Sequence, residues 1–259
     1  MRTGILALTL LAGTALAGTA QAETVAALVG NDTLVHVNTE TKKAEKTVKV
    51  TGISGTILGI DVRPADGMLY AVLSDGAIMT IDPMSGAATA KSKLDTMLGA
   101  GVTATVDFNP VADRLRIIGS DGMNLRANVD DGKVTKDGQL KFADADTMKG
   151  KTPKVVAGAY TNSMKGSKET VLFDIDASGA LLKQAPPNDG VLNTVGMLGM
   201  SGEAVSFDIM SDGKGGNAAW AMAGDTLYSV DLATGKGTMA AKITGVSGTV
   251  RDIAILPKM

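Results

Sequence analysis

Four stretches of this chain repeat one pattern, and its two ends complete a fifth. The pattern is an alternating apolar strand, a turn, a second strand, a Gly turn, a third strand ending in Asp or Asn, a further turn and a fourth strand. The clearest copy, residues 57–93, opens on "ILGIDVRPADG". The others span residues 103–138, 155–198 and 204–243. The N-terminal stretch carries only three strands, "TVAALVGND", "TLVHVNTETK" and "AEKTVKV", and lacks the first strand type. The C-terminus supplies one, "VRDIAILP", which aligns with "LGIDVRP". A unit divided in this way is what a closed ring requires, because closure removes free sheet edges.

The period agrees. Third strands end at Asn38, Asp82, Asn128 and Asp231, and the first two intervals are 44 and 46 residues. A four-stranded propeller blade takes about 40–50. The sequence therefore predicts an all-β chain, a five-bladed β-propeller whose C-terminal strand joins the N-terminal blade. A β-sandwich or β-helix would not need the divided unit. The segments 95–101 and 143–150 read as loops or single turns.

Residues 1–22 fit a secretory leader: a basic start at Arg2, a short apolar run, and Ala20-Gln21-Ala22 as an A-x-A cleavage site. The expected mature chain, residues 23–259, is one propeller domain in the periplasm or outside the cell. No second apolar run is long enough to span a bilayer, so no membrane insertion is expected. There is no cysteine, hence no disulfide and no lipoprotein anchor. A formal net charge of −2 speaks against nucleic acid as a partner.

Charged residues stand inside the most strand-like segments. The five inner strands align as I-D-V-R-P, V-D-F-N-P, A-Y-T-N-S, F-D-I-M-S and I-A-I-L-P. Period-two alternation puts Asp61 with Arg63, Asp107 with Asn109, and Tyr160 with Asn162 on one blade face. Asp208 takes the same place, and Ala254 breaks the series. Beyond residue 22 the arginines are Arg63, Arg114, Arg116, Arg126 and Arg251, all in or beside repeat strands. Lysines fall mostly in turns and outer strands. Because Arg suits buried forked pairing and Lys a hydrated surface, the expectation is an Asp–Arg–Asn network between blades.

The motifs "GIDVRPADGMLYAV", "VDFNPVADRLRIIGSDGMNLRANVDDG", "AYTNS" and "PPNDGVLNTVGMLG", in this order, resemble a family of secreted bacterial proteins known as domain of unknown function 4394. The resemblance covers the whole of residues 23–259. It implies propeller-like repeats and export, and brings no activity with it.

Candidate sites divide by chemistry. Asp61, Asp107 and Asp208 occupy matching places in different blades, and paired carboxylates can act as acid and base on glycans. The scarcity of aromatics, 3% of the chain, argues against sugar platforms, and repetition favours a structural role. Arg114, Arg116, Arg126 and Asn124 on neighbouring strands form a possible clamp for an anion. Arg63, Asn109, Tyr160, Asn162, Asn188 and Asp189 complete the candidate ligand-binding set, the last two in the turn "PPNDG" at a propeller mouth. Metal signals are weak. "DIDASG" starts like a calcium loop but has Ala185 where Glu is needed. His36 is the only histidine and has no Cys partners. Met197 and Met200 are a thioether pair but read better as core filler. No cofactor or metal is assigned. The reading is a non-enzymatic exported propeller that binds a small molecule or an envelope protein. A carboxylate-dependent hydrolase and a purely structural envelope protein are the alternatives.

Overall fold

The structure is a computed structural model that describes residues 23–202 and 204–257. The leader assigned to residues 1–22 lies outside the described residues. The described chain forms five small sheets arranged as five blades. Blade 1 contains β1 (Thr24–Val29), β2 (Thr33–Asn38) and β3 (Lys43–Lys49). Blade 2 contains β4 (Ile57–Val62), β5 (Leu69–Leu73), β6 (Ala77–Ile81) and β7 (Ala88–Lys93). Blade 3 contains β8 (Ala104–Asn109), β9 (Arg114–Gly119), β10 (Asn124–Ala127) and β11 (Val134–Lys136). After a two-residue strand β12 (Lys141–Phe142), blade 4 contains β13 (Val155–Tyr160), β14 (Leu172–Asp176), β15 (Ala180–Gln184) and β16 (Val191–Met197). Blade 5 contains β17 (Val205–Ser211), β18 (Asn217–Ala223), β19 (Thr226–Val230) and β20 (Gly237–Lys242).

The last strand, β21 (Val250–Leu256), returns to blade 1, where its order is β21-β1-β2-β3. Its register is antiparallel, with Thr24 opposite Leu256 and Ala26 opposite Ala254. The divided repeat is thus rejoined, and the five inner strands β21, β4, β8, β13 and β17 contact one another in cyclic order. The expected ring and its closure are present. One strand carried no sequence signal: β12 runs parallel to β16 along the outer edge of blade 4, and two residues are too few to show alternation.

Alternation explains how the blades stick together. In β1, Ala26 and Leu28 join a cluster with Ile57, Ile60 and Leu73 of blade 2, while Val25 and Ala27 join one with Met222 and Leu227 of blade 5. Similar apolar clusters fill the other seams, led by Phe108 and Leu115 between blades 2 and 3, Tyr160 and Leu182 between 3 and 4, and Phe207 and Phe173 between 4 and 5. Each large side chain buried this way stabilises by about 1.5–3 kcal/mol. The polar residues ending the third strands make the next turn. The side-chain oxygens of Asn38, Asp82 and Asp231 each accept two backbone amides two and three residues ahead, the Asx geometry that suits these residue types. Asn128 accepts one such amide, from Asp130.

Segments 95–101 and 143–150 contain turns and bends without helix, as their sequence predicts. Among the described residues the helical element is a short 3-10 turn, Pro187–Asp189, in the "PPNDG" loop.

Candidate metal centre

An inner strand bonds to its own blade along one edge and leaves the other edge's amides without a ladder partner. Such amides need acceptors when buried. The preceding blade supplies them as side chains. Ile60 N donates to Asp252 Oδ2 at 2.9 Å, Phe108 N to Asp61 Oδ2 at 2.7 Å, Tyr160 N to Asp107 Oδ1 at 3.0 Å, and Ile255 N to Asp208 Oδ2 at 2.6 Å. Gly158 N donates to Thr105 Oγ1 at 3.0 Å. This is why acidic residues stand inside the strands. Gly59 leaves room for the Asp252 cap, since a Cβ there would lie 2.8 Å from Asp252 Oδ2.

Capping does not use up these carboxylates. Asp61, Asp107 and Asp208 come from blades 2, 3 and 5, and one oxygen of each lies within 4.8 Å of the others. The three residues are only 4, 5 and 6% exposed. Asp61 Oδ1 also accepts Val62 N, and Asp208 Oδ1 accepts Ile209 N. Asp107 Oδ2 receives no hydrogen bond from the described residues. Burial pushes the Asp61 and Asp107 carboxyls well above the usual carboxylate range, and the neighbouring aspartate charges push further. Asp208 is pushed up to about 6, again chiefly by burial.

The expected Asp–Arg–Asn network exists between blades, but it leaves out the three strand aspartates, and that part is corrected here. No arginine bonds to Asp61, Asp107 or Asp208 among the described residues. Arg63 instead forks onto Asp113, at 2.8 and 2.6 Å, and reaches Asp130 at 3.0 Å. Arg116, 2% exposed, binds Asp137 at 2.5 Å, Asn124 at 2.8 Å, Asn188 at 2.9 Å and the Tyr160 hydroxyl at 3.1 Å. Arg126 forks onto the same Asp137. Arg114 donates to the carbonyls of Ala112 and Asp113. The acidic partners of Arg63, Arg116 and Arg126 are therefore aspartates in turns or just beyond an outer strand, which repeat alignment does not single out.

Tyr160 is also corrected. It follows the aspartate position instead of occupying it: Tyr160 N bonds to Asp107 just as Phe108 N bonds to Asp61, so Ala159 stands where blades 2, 3 and 5 have Asp. The Tyr160 ring consequently faces blade 3 and Arg116. Asn109 caps its own turn through Val111 N and Ala112 N. Asn162, at φ 55°, exchanges hydrogen bonds with Asn217 of blade 5. Asn124 ties blade 3 to the 3-10 loop through Pro187 O, and Asp189 is exposed in that loop.

A cavity of about 760 Å³ opens where the inner strands end. Asp61 and Asp208 line it, and Asp107 does not, so the cavity meets the three carboxylates from one side. Its other charged residues are Glu23, Asp212 and Lys214. Sequence reasoning passed over Glu23, which accepts a hydrogen bond from Trp220 Nε1 at 3.2 Å. The arginine and asparagine candidates do not line this mouth.

Elsewhere, His36 is buried with Nε2 2.9 Å from Pro83 O. Met197 is 58% exposed, whereas Met200 packs in the seam between blades 4 and 5. Asp176 caps Ser178 N in a turn.

Fold and hub together define a five-bladed propeller with a carboxylate-lined axis. The chain belongs to the family described as "Domain of unknown function (DUF4394)", whose model matches residues 33–254. No curated protein matches it. Among solved structures it is similar to a structural genomics protein of unknown function from Bacteroides thetaiotaomicron VPI-5482, at 15% identity and a TM-score of 0.52. That match covers 78% of this chain and 53% of the other, so the chain spans about half the length of that relative. A protein of unknown function from Bacteroides caccae matches at 10% identity and a TM-score of 0.46, over 92% of this chain and 100% of the other. The likeness to the first of these concerns the fold alone.

Proposed function

We propose that this is an exported, non-enzymatic binding protein that holds a hard divalent cation, calcium first, at Asp61, Asp107 and Asp208. The leader-like residues 1–22 support export. One observation carries the cation: among the described residues, three buried carboxylates from three blades converge without a basic side chain to neutralise them, and Asp107 Oδ2 has no hydrogen bond. Buried charge must be paired or bound to metal. Oxygen-only ligands favour calcium, magnesium or manganese. The three oxygens lie within 4.8 Å of one another, near enough to be drawn onto one ion, and calcium, which tolerates irregular geometry where magnesium demands a near-ideal octahedron, is the first choice. Water entering from the mouth cavity completes the coordination.

The glycan hydrolase reading is less well supported. The carboxyls are only 4–6% exposed, and among the described residues no aromatic side chain lines the mouth cavity to hold a sugar ring.

The test is thermal denaturation of chelator-treated protein with calcium, magnesium or manganese chloride. Calcium should raise the midpoint most, and Asp107→Asn, which keeps an acceptor for Tyr160 N, should abolish the rise. No stabilisation by any of the three at millimolar concentration would overturn the reading.

A further inference from the structure

The opposite end of the ring has the opposite chemistry. A second cavity, of about 240 Å³, lies where the inner strands begin, at the seam of blades 2 and 3. Its walls include Leu58, Val72, Leu94, Leu98, Val102 and Ile117. The blade connection at 95–103 covers it. That cover is seated closely: a Cβ on Gly76 would lie 2.6 Å from the Met97 sulfur, and one on Gly119 would lie 3.1 Å from both Leu98 and Val102.

One charged residue lines this apolar hollow, Arg251 at the start of β21. Its Nη1 donates to Ile57 O at 3.0 Å and Gly30 O at 3.2 Å, which fixes the guanidinium plane. Nε and Nη2 have no hydrogen-bond partner among the described residues. No carboxylate there lies within 4.0 Å of Arg251, whereas Arg63, Arg116 and Arg126 all have one. A guanidinium is a forked donor matched to a carboxylate, and ligand pockets combine apolar walls with a few placed polar groups.

We propose that this cavity binds a straight-chain carboxylate, its acyl chain among the leucines and its head on the free side of the Arg251 guanidinium. A hollow of about 240 Å³ takes a short acyl chain, for which octanoate is the probe. This inference is independent of the cation site.

The test is isothermal titration of the full-length protein with octanoate, with octanol and octylamine as chain-matched controls. Octanoate should bind the wild type, octanol should bind more weakly, and octylamine should not bind. Arg251→Gln should weaken octanoate by about tenfold or more and leave octanol unchanged. Leu98→Trp, which fills the hollow and keeps Arg251, should abolish octanoate binding in a protein with wild-type circular dichroism. It decides the matter if Arg251→Gln fails to fold. The proposal is overturned if octanoate does not bind, if octylamine binds as well, or if Leu98→Trp leaves binding intact.

Discussion

The amide of Ile60 donates to the carboxylate of Asp252 across 2.9 Å, although 192 residues separate them in the chain. This contact joins the last strand to the first complete blade, so it exists only when the ring is shut.

Removing it should loosen closure. Asp252→Ala leaves Ile60 N buried without an acceptor and should cost about 1–3 kcal/mol. Asp252→Asn keeps an oxygen in place and should cost less. Urea denaturation of both variants checks the order; equal stability of Asp252→Ala and wild type would contradict it.

The seam between blades 3 and 4 depends on Arg116. Arg116→Met strips one partner from Asp137, whose side chain is 4% exposed, and leaves Asn188 and Tyr160 without their donor. A loss of about 3–5 kcal/mol is expected. Arg116→Lys should recover little, because one ammonium cannot reproduce the fork. Chemical denaturation midpoints measure both.

Legibility divided along the same lines. The ring, its five blades and its closure were readable, because period-two alternation and Asx turns at Asn38, Asp82, Asn128 and Asp231 are local and repeat. Asp61, Asp107 and Asp208 were readable as special positions. Their partners were not, since an aspartate in a strand looks the same whether it meets an arginine or a neighbouring blade's amide. Tyr160 was placed one residue out of step because blade 4 has Ala159 where the alignment needed an acid. Asp113, Asp130 and Asp137 lie in turns and beside an outer strand, where acidic residues are common and carry no signal of their buried arginine partners.

Stability should fall as pH rises, and Asp174 is one cause. Both its oxygens are buried without partners among the described residues, and burial pushes its carboxyl up to about 8. Arg116 faces it from blade 3 and pulls the other way, but that charge is held by Asp137. The unfolded value is about 3.9, so between these limits the native state keeps a proton that the unfolded chain has lost. The contribution is whole below pH 4 and disappears as pH rises through 8. Each unit is worth about 1.4 kcal/mol. Asp174→Asn, neutral throughout, should show a flatter loss of urea midpoint from pH 5 to 8 than wild type. Parallel profiles would contradict this.

The hub aspartates make the central claim open to direct inspection. A crystal of the chelator-treated protein soaked in calcium should show one anomalous scattering peak on the ring axis, about 2.3–2.6 Å from an oxygen of each of Asp61, Asp107 and Asp208. The same soak of Asp107→Asn should lack it. An empty hub in the wild-type crystal, with calcium only at surface carboxylates such as Asp144, would contradict the assignment.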